Sequence, residues 1–341
     1  MPDIEIELYD AEAIGDEPTS GFEWEDARAA RNDLWDAEPS RQQMLRAIKQ
    51  HPLGNKRKLT IGSQDIIDRL DALAAAAPHF GEPLGLIRRA ALLSMRTGVG
   101  LAIFPQLWVS EPGLGKTWLA RRVAAAIGGG DGDVPMAEYS FASGDDPGVL
   151  TGHSLSWRGA RAGLIAKTLL LGDSANPVIF IDEVDKATSL RGEDPTDCLH
   201  ALLEPENARR YVDQFLDLPI RADHAIWILT ANNIEGLRPS LIDRTVVMRI
   251  ERPSVDEQRR VLRSIVDEVL APYAEAMPTV TGEALRRLSE CSPRLAKRIV
   301  ALALAFAVAD GRLDVSVADI EAARRVARQR TGRRPIGFHA S

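Results

Sequence analysis

Two short motifs in the 341-residue chain hold the residue types that phosphate chemistry needs. The first runs Ser110-Glu111-Pro112-Gly113-Leu114-Gly115-Lys116-Thr117-Trp118. Glycines let backbone N–H groups wrap phosphate oxygens where a strand turns into a helix, and the helix N-terminus adds positive potential of its own. A lysine at the end of that turn brings a point charge to the β- and γ-phosphates, and the next hydroxyl can ligate Mg2+. Gly113, Gly115, Lys116 and Thr117 fit the pattern GxxxxGK[ST], with Ser110 standing where the pattern has its first glycine. Glu111 to Trp118 are therefore the candidate nucleotide-binding residues. The second motif is Val178-Ile-Phe-Ile-Asp182-Glu183. Its apolar residues predict a buried strand, and two acids stand at the carboxyl end, where open α/β sheets bind ligands. Adjacent carboxylates need a cation. Asp182 is expected to share Mg2+ with Thr117, which leaves Glu183 to orient and deprotonate a water. A kinase uses a substrate hydroxyl as nucleophile and has little need of such a glutamate, so hydrolysis is expected in place of transfer.

These residues require a sheet to carry them. Apolar runs predict strands at Gln106–Val109, Ala137–Phe141, Val178–Ile181, Ala225–Leu229 and Val246–Ile250, with the helix Lys116–Ile127 after the first. Strands alternating with helices imply a parallel sheet covered on both faces. After Pro253 the pattern changes to four helices, Val255–Pro272, Thr281–Glu290, Pro293–Ala309 and Val317–Gln329, and no further strand is expected. Before the sheet, Ile4, Ile6 and Leu8 alternate as a short strand would, Glu25–Gln50 reads as helical with a break at Pro39, and His51–Lys58 reads as a linker. The expected organisation is an acidic appendage over 1–50, a large α/β domain over 51–252, a small helical domain over 253–330 and a basic tail over 331–341.

Composition narrows the classes. Hydrophobic residues make up 45% and charged residues 27%, which supports a sizeable core and excludes a disordered chain. The longest apolar run, Ile299–Ala309, is too short to span a bilayer. The two cysteines, Cys198 and Cys291, form no CxxC, so neither a disulfide framework nor a Cys-based zinc site is expected, and the reducing cytoplasm is the expected compartment. The net charge of −7 conceals an asymmetry: residues 1–40 carry thirteen acids and two arginines, and the remainder sums to +4. Six arginines without an acid between Arg324 and Arg334 make the tail basic. Such ends are most simply solvated, and the alternative is an arm that masks a basic surface or recruits a basic partner.

With both motifs in place the chain resembles an AAA+ ATPase, and within that family the ATPase module of Lon-type proteins, over roughly residues 80–329. The resemblance implies a P-loop AAA+ three-layer α/β domain with a parallel sheet, followed by a small all-α lid. Four further stretches carry it. Gly152-His-Ser-Leu-Ser-Trp157-Arg158-Gly159-Ala160, with Gly163 and Ile165, resembles the aromatic pore loop that grips substrate. Asp185-Lys186 through Asp194-Pro195, which contains Leu190, and Leu203–Asn207 resemble the second pore loop and the helix after it. Ala208–Ile220 resembles an inserted hairpin. Thr230-Ala-Asn232, Leu241-Ile-Asp-Arg244 and Pro293-Arg294-Leu-Ala-Lys-Arg298 resemble sensor 1, the arginine finger and sensor 2.

The resemblance implies ATP and Mg2+ as ligands, a homo-oligomeric ring of six, Asn232 at the attacking water, Arg244 reaching a neighbouring subunit's nucleotide, and Arg294 near the γ-phosphate. The bland alternatives are a turn-capping asparagine, an ion pair of Arg244 with Asp243, and a solvated Arg294. Trp157 departs from the family's tyrosine, and Arg158 and Ala162 depart from its pattern too. Trp108 and Trp227 lie on strands and are expected to be buried anchors, whereas Trp157 lies among glycines with no apolar periodicity. Trp157 beside Arg158 and Arg161 also suits stacked and neutralised single-stranded nucleic acid, which makes that the second choice of client after protein. No membrane partner is expected. The chain leaves no room after the last helix for the peptidase domain of Lon proteases, so no peptide cleavage is expected. The tail Pro335-Ile336-Gly337-Phe338 matches a tripeptide by which some unfoldases dock a separate protease.

Overall fold

Acids alternate in Ile4-Glu5-Ile6-Glu7 and bases cluster in Lys56-Arg57-Lys58-Leu59, and the computed structural model pairs these segments as antiparallel strands β1 (Ile4–Glu7) and β2 (Lys56–Leu59). The structure describes residues 4–14, 40–128, 136–143, 146–187 and 194–328. Glu5 faces Lys58 and Glu7 faces Lys56 across the ladder, an opposite-charge register that stabilises the pair. Arg57 points inward and is fully buried, donating to the carbonyls of Gly54 (2.8 Å), Lys56 (2.6 Å) and Leu170. The linker expected over His51–Lys58 is thus corrected: its last three residues belong to a strand.

Helix α1 (Arg41–Lys49) starts at a capping box in which Ser40 and Gln43 satisfy each other's backbone N–H groups. It buries Met44, Leu45, Ala47 and Ile48 in the same core cluster as Leu8, Tyr9, Ile14, Leu107 and Leu169. The appendage expected over 1–50 is therefore corrected for the described parts, residues 4–14 and 40–50. Their apolar residues complete the core of the α/β unit. The helix expected over Glu25–Gln50 is present after its break at Pro39, as α1; the rest of the acidic arm, the part of that helix before Ser40 and the tail over 331–341 lie outside the described residues.

Helices α2 (Gln64–Ala76) and α3 (Gly81–Thr97) precede β3 (Gln106–Val109). Then follow α4 (Lys116–Gly128), β4 (Met136–Ser140), α5 (Leu164–Leu171), β5 (Val178–Asp182), the hairpin β6 (Tyr211–Asp213) with β7 (Leu218–Ile220), β8 (Ile226–Ala231) and β9 (Val246–Arg249). Five strands form one sheet in the order β4-β5-β8-β3-β9, every pair parallel. β3 and β8 are buried at every residue, and β5 at all but its terminal Asp182, the burial of a sheet covered on both faces. Trp108 and Trp227 are buried at 0% and 3% exposure, as expected. β6 and β7 pair antiparallel within the stretch expected to form a hairpin.

A second compact unit comprises Ala72–Gly81, Glu111–Gly115 and the chain from Glu251, so the boundary expected at 252 is shifted and two earlier segments are reassigned. Its helices are α6 (Val255–Leu270), α7 (Gly282–Arg286), α8 (Pro293–Ala309) and α9 (Val317–Arg328). Leu262, Leu288, Ile299, Val300 and Ile320 lie in its core. Ser254, Thr281 and Ser292 cap α6, α7 and α8 with their side chains. The unit is not wholly helical: β10 (Thr279–Val280) pairs in parallel with β11 (Asp314–Val315), which corrects the expectation of no strand after Pro253. Val315 is fully buried, and the ladder satisfies the backbone that carries it inward.

Candidate functional site

β5, β8 and β3 are neighbours, and their carboxyl ends bring the polar residues of three separate sequence stretches together. Asp182 closes β5, Thr230 lies one residue from the end of β8, and Ser110 follows β3. Thr117, in the first turn of α4, donates its Oγ1 hydroxyl to Asp182 Oδ2 at 3.0 Å. Thr230 donates its hydroxyl to Asp182 Oδ1. The same Thr230 oxygen accepts the Glu183 backbone N–H at 3.0 Å. Asp182 is thus held by two neutral hydroxyls.

Lys116 Nζ donates to the Ser110 carbonyl at 2.8 Å, to Ser110 Oγ at 3.0 Å and to Asn232 Oδ1 at 3.0 Å. Asn232 Nδ2 reaches Glu183 Oε1 at 3.5 Å, so one amide stands between the lysine and the glutamate. Its backbone N–H donates to Asp185 Oδ1 at 3.0 Å, and Lys186 Nζ donates to Asp185 Oδ2 at 2.8 Å. Burial lowers the pKa of the Lys116 ammonium below that of a free lysine, and the Asp182, Asp185 and Glu183 carboxylates pull it back up. Glu183 has left-handed backbone angles, φ 53° and ψ 49°, which are costly for a residue with a side chain. Its N–H bond to Thr230 holds it there.

Gly113 and Gly115 have φ of +88° and +101°, the left-handed region that only glycine enters without strain. Between them Leu114 is buried, with its carbonyl 3.2 Å from His79 Nε2. Glu111 and Pro112 are exposed, and Glu111 pairs with Arg252, whose Nε donates at 2.7 Å. Trp118 is half-buried on α4, with the Arg122 guanidinium 5.7 Å from its ring centre.

The structure does not bring every expected residue into this cluster. Arg244 is held by the Ser240 carbonyl at 2.8 Å and by an ion pair with Glu204, not with Asp243. Arg294 is exposed in the first turn of α8, in the second unit. Trp157 is 67% exposed and Arg158 is exposed beside it, on the loop between Gly152 and Gly163. His153 anchors that loop to Asp146 at 2.8 Å. Leu190 lies outside the described residues. The sequence motifs include Thr230 and Asp185 but assign neither a separate role. The signal was there: a hydroxyl at the end of a strand, and a third acid just beyond Asp182.

The family model described as "ATPase family associated with various cellular activities (AAA)" matches residues 107–253. This stretch is an AAA ATPase domain. It contains every residue of the bonded cluster from Ser110 to Asn232. The AAA region is similar to Lon proteases. That of Amoebophilus asiaticus is 33% identical over 152 residues, covering 45% of this chain and 18% of its own length. That of Roseiflexus castenholzii is 32% identical over 184 residues, covering 53% of this chain and 22% of its own. The chain thus spans about a fifth of the length of these relatives. The fold is shared with yeast (S. cerevisiae) Hsp104, solved in an extended conformation with casein, at a TM-score of 0.58 and 19% identity over 74% of this chain and 50% of that one. No helix among the described residues is long and apolar enough to cross a membrane.

Proposed function

We propose that the chain hydrolyses Mg-ATP as one subunit of a ring, probing protein clients with Trp157 and remodelling, unfolding or translocating them. The observation that carries the ATPase half is the joining of Lys116, Thr117, Asp182, Glu183 and Asn232, through Thr230, into one hydrogen-bonded cluster at three adjacent strand ends. Lys116 now spends its protons on Ser110 and Asn232 oxygens, acceptors that phosphate oxygens replace when nucleotide binds. Thr117 and Asp182 supply hard oxygen donors suited to Mg2+. Bound there, the ion would neutralise charge on the transferring phosphoryl group. Glu183, 3.5 Å from the Asn232 amide, is the base that takes the proton of the attacking water, and Asn232 orients that water. Arg244 serves the nucleotide of the neighbouring subunit once it leaves Glu204. An arginine supplied in this way is worth ~10³–10⁵ in rate in related systems.

The client half rests on Trp157. A bulky aromatic at 67% exposure on a glycine-bounded loop is a gripping side chain, not a core anchor. Relatives to the AAA region are Lon proteases, which favours a polypeptide client. A nucleic-acid client is the second reading, favoured by Arg158 and Arg161 on the same loop. The test is ATPase stimulation by a permanently unfolded protein and by single-stranded DNA. An unfolded protein should stimulate the wild type, and Trp157→Ala should abolish that stimulation. Stimulation by DNA alone, steeply weakened by salt through counterion release, would transfer the case to the second reading.

A further inference from the structure

We propose that Asp213, on the β6–β7 hairpin, is the positioning residue that closes the neck of the Trp157 loop. The loop leaves the fold at Gly152 and returns at Gly163. At that neck the two glycines approach so closely that a Cβ on Gly163 would lie 2.4 Å from the Gly152 nitrogen and 2.3 Å from the Leu150 carbonyl oxygen. A Cβ on Gly152, whose φ is +84°, would lie 2.6 Å from Asp213 Oδ1. The carboxylate therefore rests against the bare backbone of Gly152. Across the neck, Asp213 Oδ2 accepts the Gly163 N–H at 2.8 Å. The next residue of the hairpin, Gln214, donates its N–H to the Thr151 carbonyl at 3.0 Å. Both ends of the loop are thus tied to one hairpin.

The same carboxylate also shapes the hairpin. Oδ1 accepts the N–H groups of Phe215 at 3.0 Å and Leu216 at 2.9 Å, and the Tyr211 hydroxyl lies 3.5 Å from Oδ2. Asp213 is fully buried, and all of these partners are neutral donors. A buried carboxylate with no cation is expensive, and three N–H groups are what make it tolerable here. The division of labour between its oxygens matters: Oδ1 holds the turn and Oδ2 holds the loop. The hairpin in turn is braced by the N-terminal segment, through the Arg221 N–H to the Leu8 carbonyl at 2.7 Å and Arg41 Nη2 to the Leu216 carbonyl at 2.7 Å. The neck therefore has a firm base, while the tip that carries Trp157 is solvent-exposed.

Asp213→Asn separates the two roles. The asparagine oxygen can still accept from Phe215 and Leu216, but its NH2 group then faces the Gly163 N–H, donor against donor. Backbone hydrogen exchange in the full-length chain reads the result. In the variant, amides of 152–163 should exchange at least ~10-fold faster, with the β6–β7 amides still protected. Unchanged exchange over 152–163 would overturn the clamp. Should the variant open the hairpin as well, the wild type decides at single-residue resolution: Gly163 N–H should exchange ~10²-fold more slowly than the amides of Leu155 and Arg158, and equal rates would overturn the proposal. The loop's work on a client rests on the function proposed above, and a second readout isolates it. Asp213→Asn should lower the ratio of client-stimulated to basal ATPase. Faster loop exchange with an intact ratio would leave the clamp standing and remove the gripping role of the loop.

Discussion

Thr117 donates its hydroxyl to Asp182 at 3.0 Å although 65 residues separate them in sequence. This bond joins the first turn of α4 to the end of β5, and it fixes the pair that would hold a metal ion. Thr230 reaches the other carboxylate oxygen from β8. Neither hydroxyl carries charge, so the negative charge of Asp182 stays available to a cation.

Thr230→Val keeps the shape of a β-branched strand residue and removes the hydroxyl. The carboxylate then loses its second tether, and the Glu183 N–H loses its hydroxyl acceptor. Second partners of metal-holding residues typically contribute 10–100-fold in metal affinity. The Mg2+ concentration at half-maximal ATPase should rise by about that factor, as read by titrating Mg2+ at saturating ATP.

Arg244 is parked on Glu204 and the Ser240 carbonyl, away from the cluster of Lys116 and Glu183 in its contacts. If it serves the next subunit, Arg244→Ala and Glu183→Gln should each turn over slowly alone. A mixture places some intact Glu183 opposite some intact Arg244 and should regain part of the activity in a ratio-dependent way. Fluorescence transfer between labelled subunits reports exchange independently. Exchange without regained hydrolysis would show that Arg244 does not act in trans.

The N-terminal segment is structural in its described part. Leu8 is at 0% exposure within the main core, and its carbonyl accepts the Arg221 N–H. Leu8→Ala should cost about 2–5 kcal/mol, the usual span for a buried leucine. Urea unfolding measures it, and a loss below ~0.5 kcal/mol would return this segment to the status of an appendage.

What the sequence revealed, and what it hid, divides by the kind of constraint. Gly113, Gly115, Lys116 and Thr117 were legible because left-handed backbone and phosphate binding demand those residue types at that spacing. β5 was legible as an apolar run ending in acids. β2 was not, because Lys56-Arg57-Lys58 looks solvated; its burial of Arg57 depends on carbonyls from Gly54, Lys56 and Leu170. β10 and β11 have two residues each, too few for any periodicity. Thr117 and Thr230 at Asp182, Glu204 at Arg244 and Gly163 at Asp213 are distant in sequence, and only the fold brings these partners together.

Asp319 supplies a test on the helical unit. Arg312 forks onto its carboxylate at 2.9 and 3.0 Å, and Ser316 donates its N–H and hydroxyl at 2.8 and 2.7 Å. The Arg312 hydrogen bonds hold the carboxyl well below the usual carboxylate range, and the Ser316 bonds add to this against the effect of burial. Its pKa is thus lower folded than unfolded. The stabilisation is present above the unfolded value near pH ~4 and is lost as pH falls through the folded value. Asp319→Asn should lower stability at neutral pH and flatten its decline below pH ~4, as read by thermal unfolding across pH. A parallel shift at every pH would contradict this assignment.

The central claim is that Glu183 activates water at a site where Lys116 binds the nucleotide. Glu183→Gln removes the base and keeps the shape. With the purified full-length variant, ATP binding and turnover are measured side by side, and Lys116→Ala serves as the contrast. Glu183→Gln should retain ATP while losing ~10²–10⁴ in turnover, the span of a lost general base. Lys116→Ala should lose the binding itself. Hydrolysis by Glu183→Gln at the wild-type rate would contradict the account.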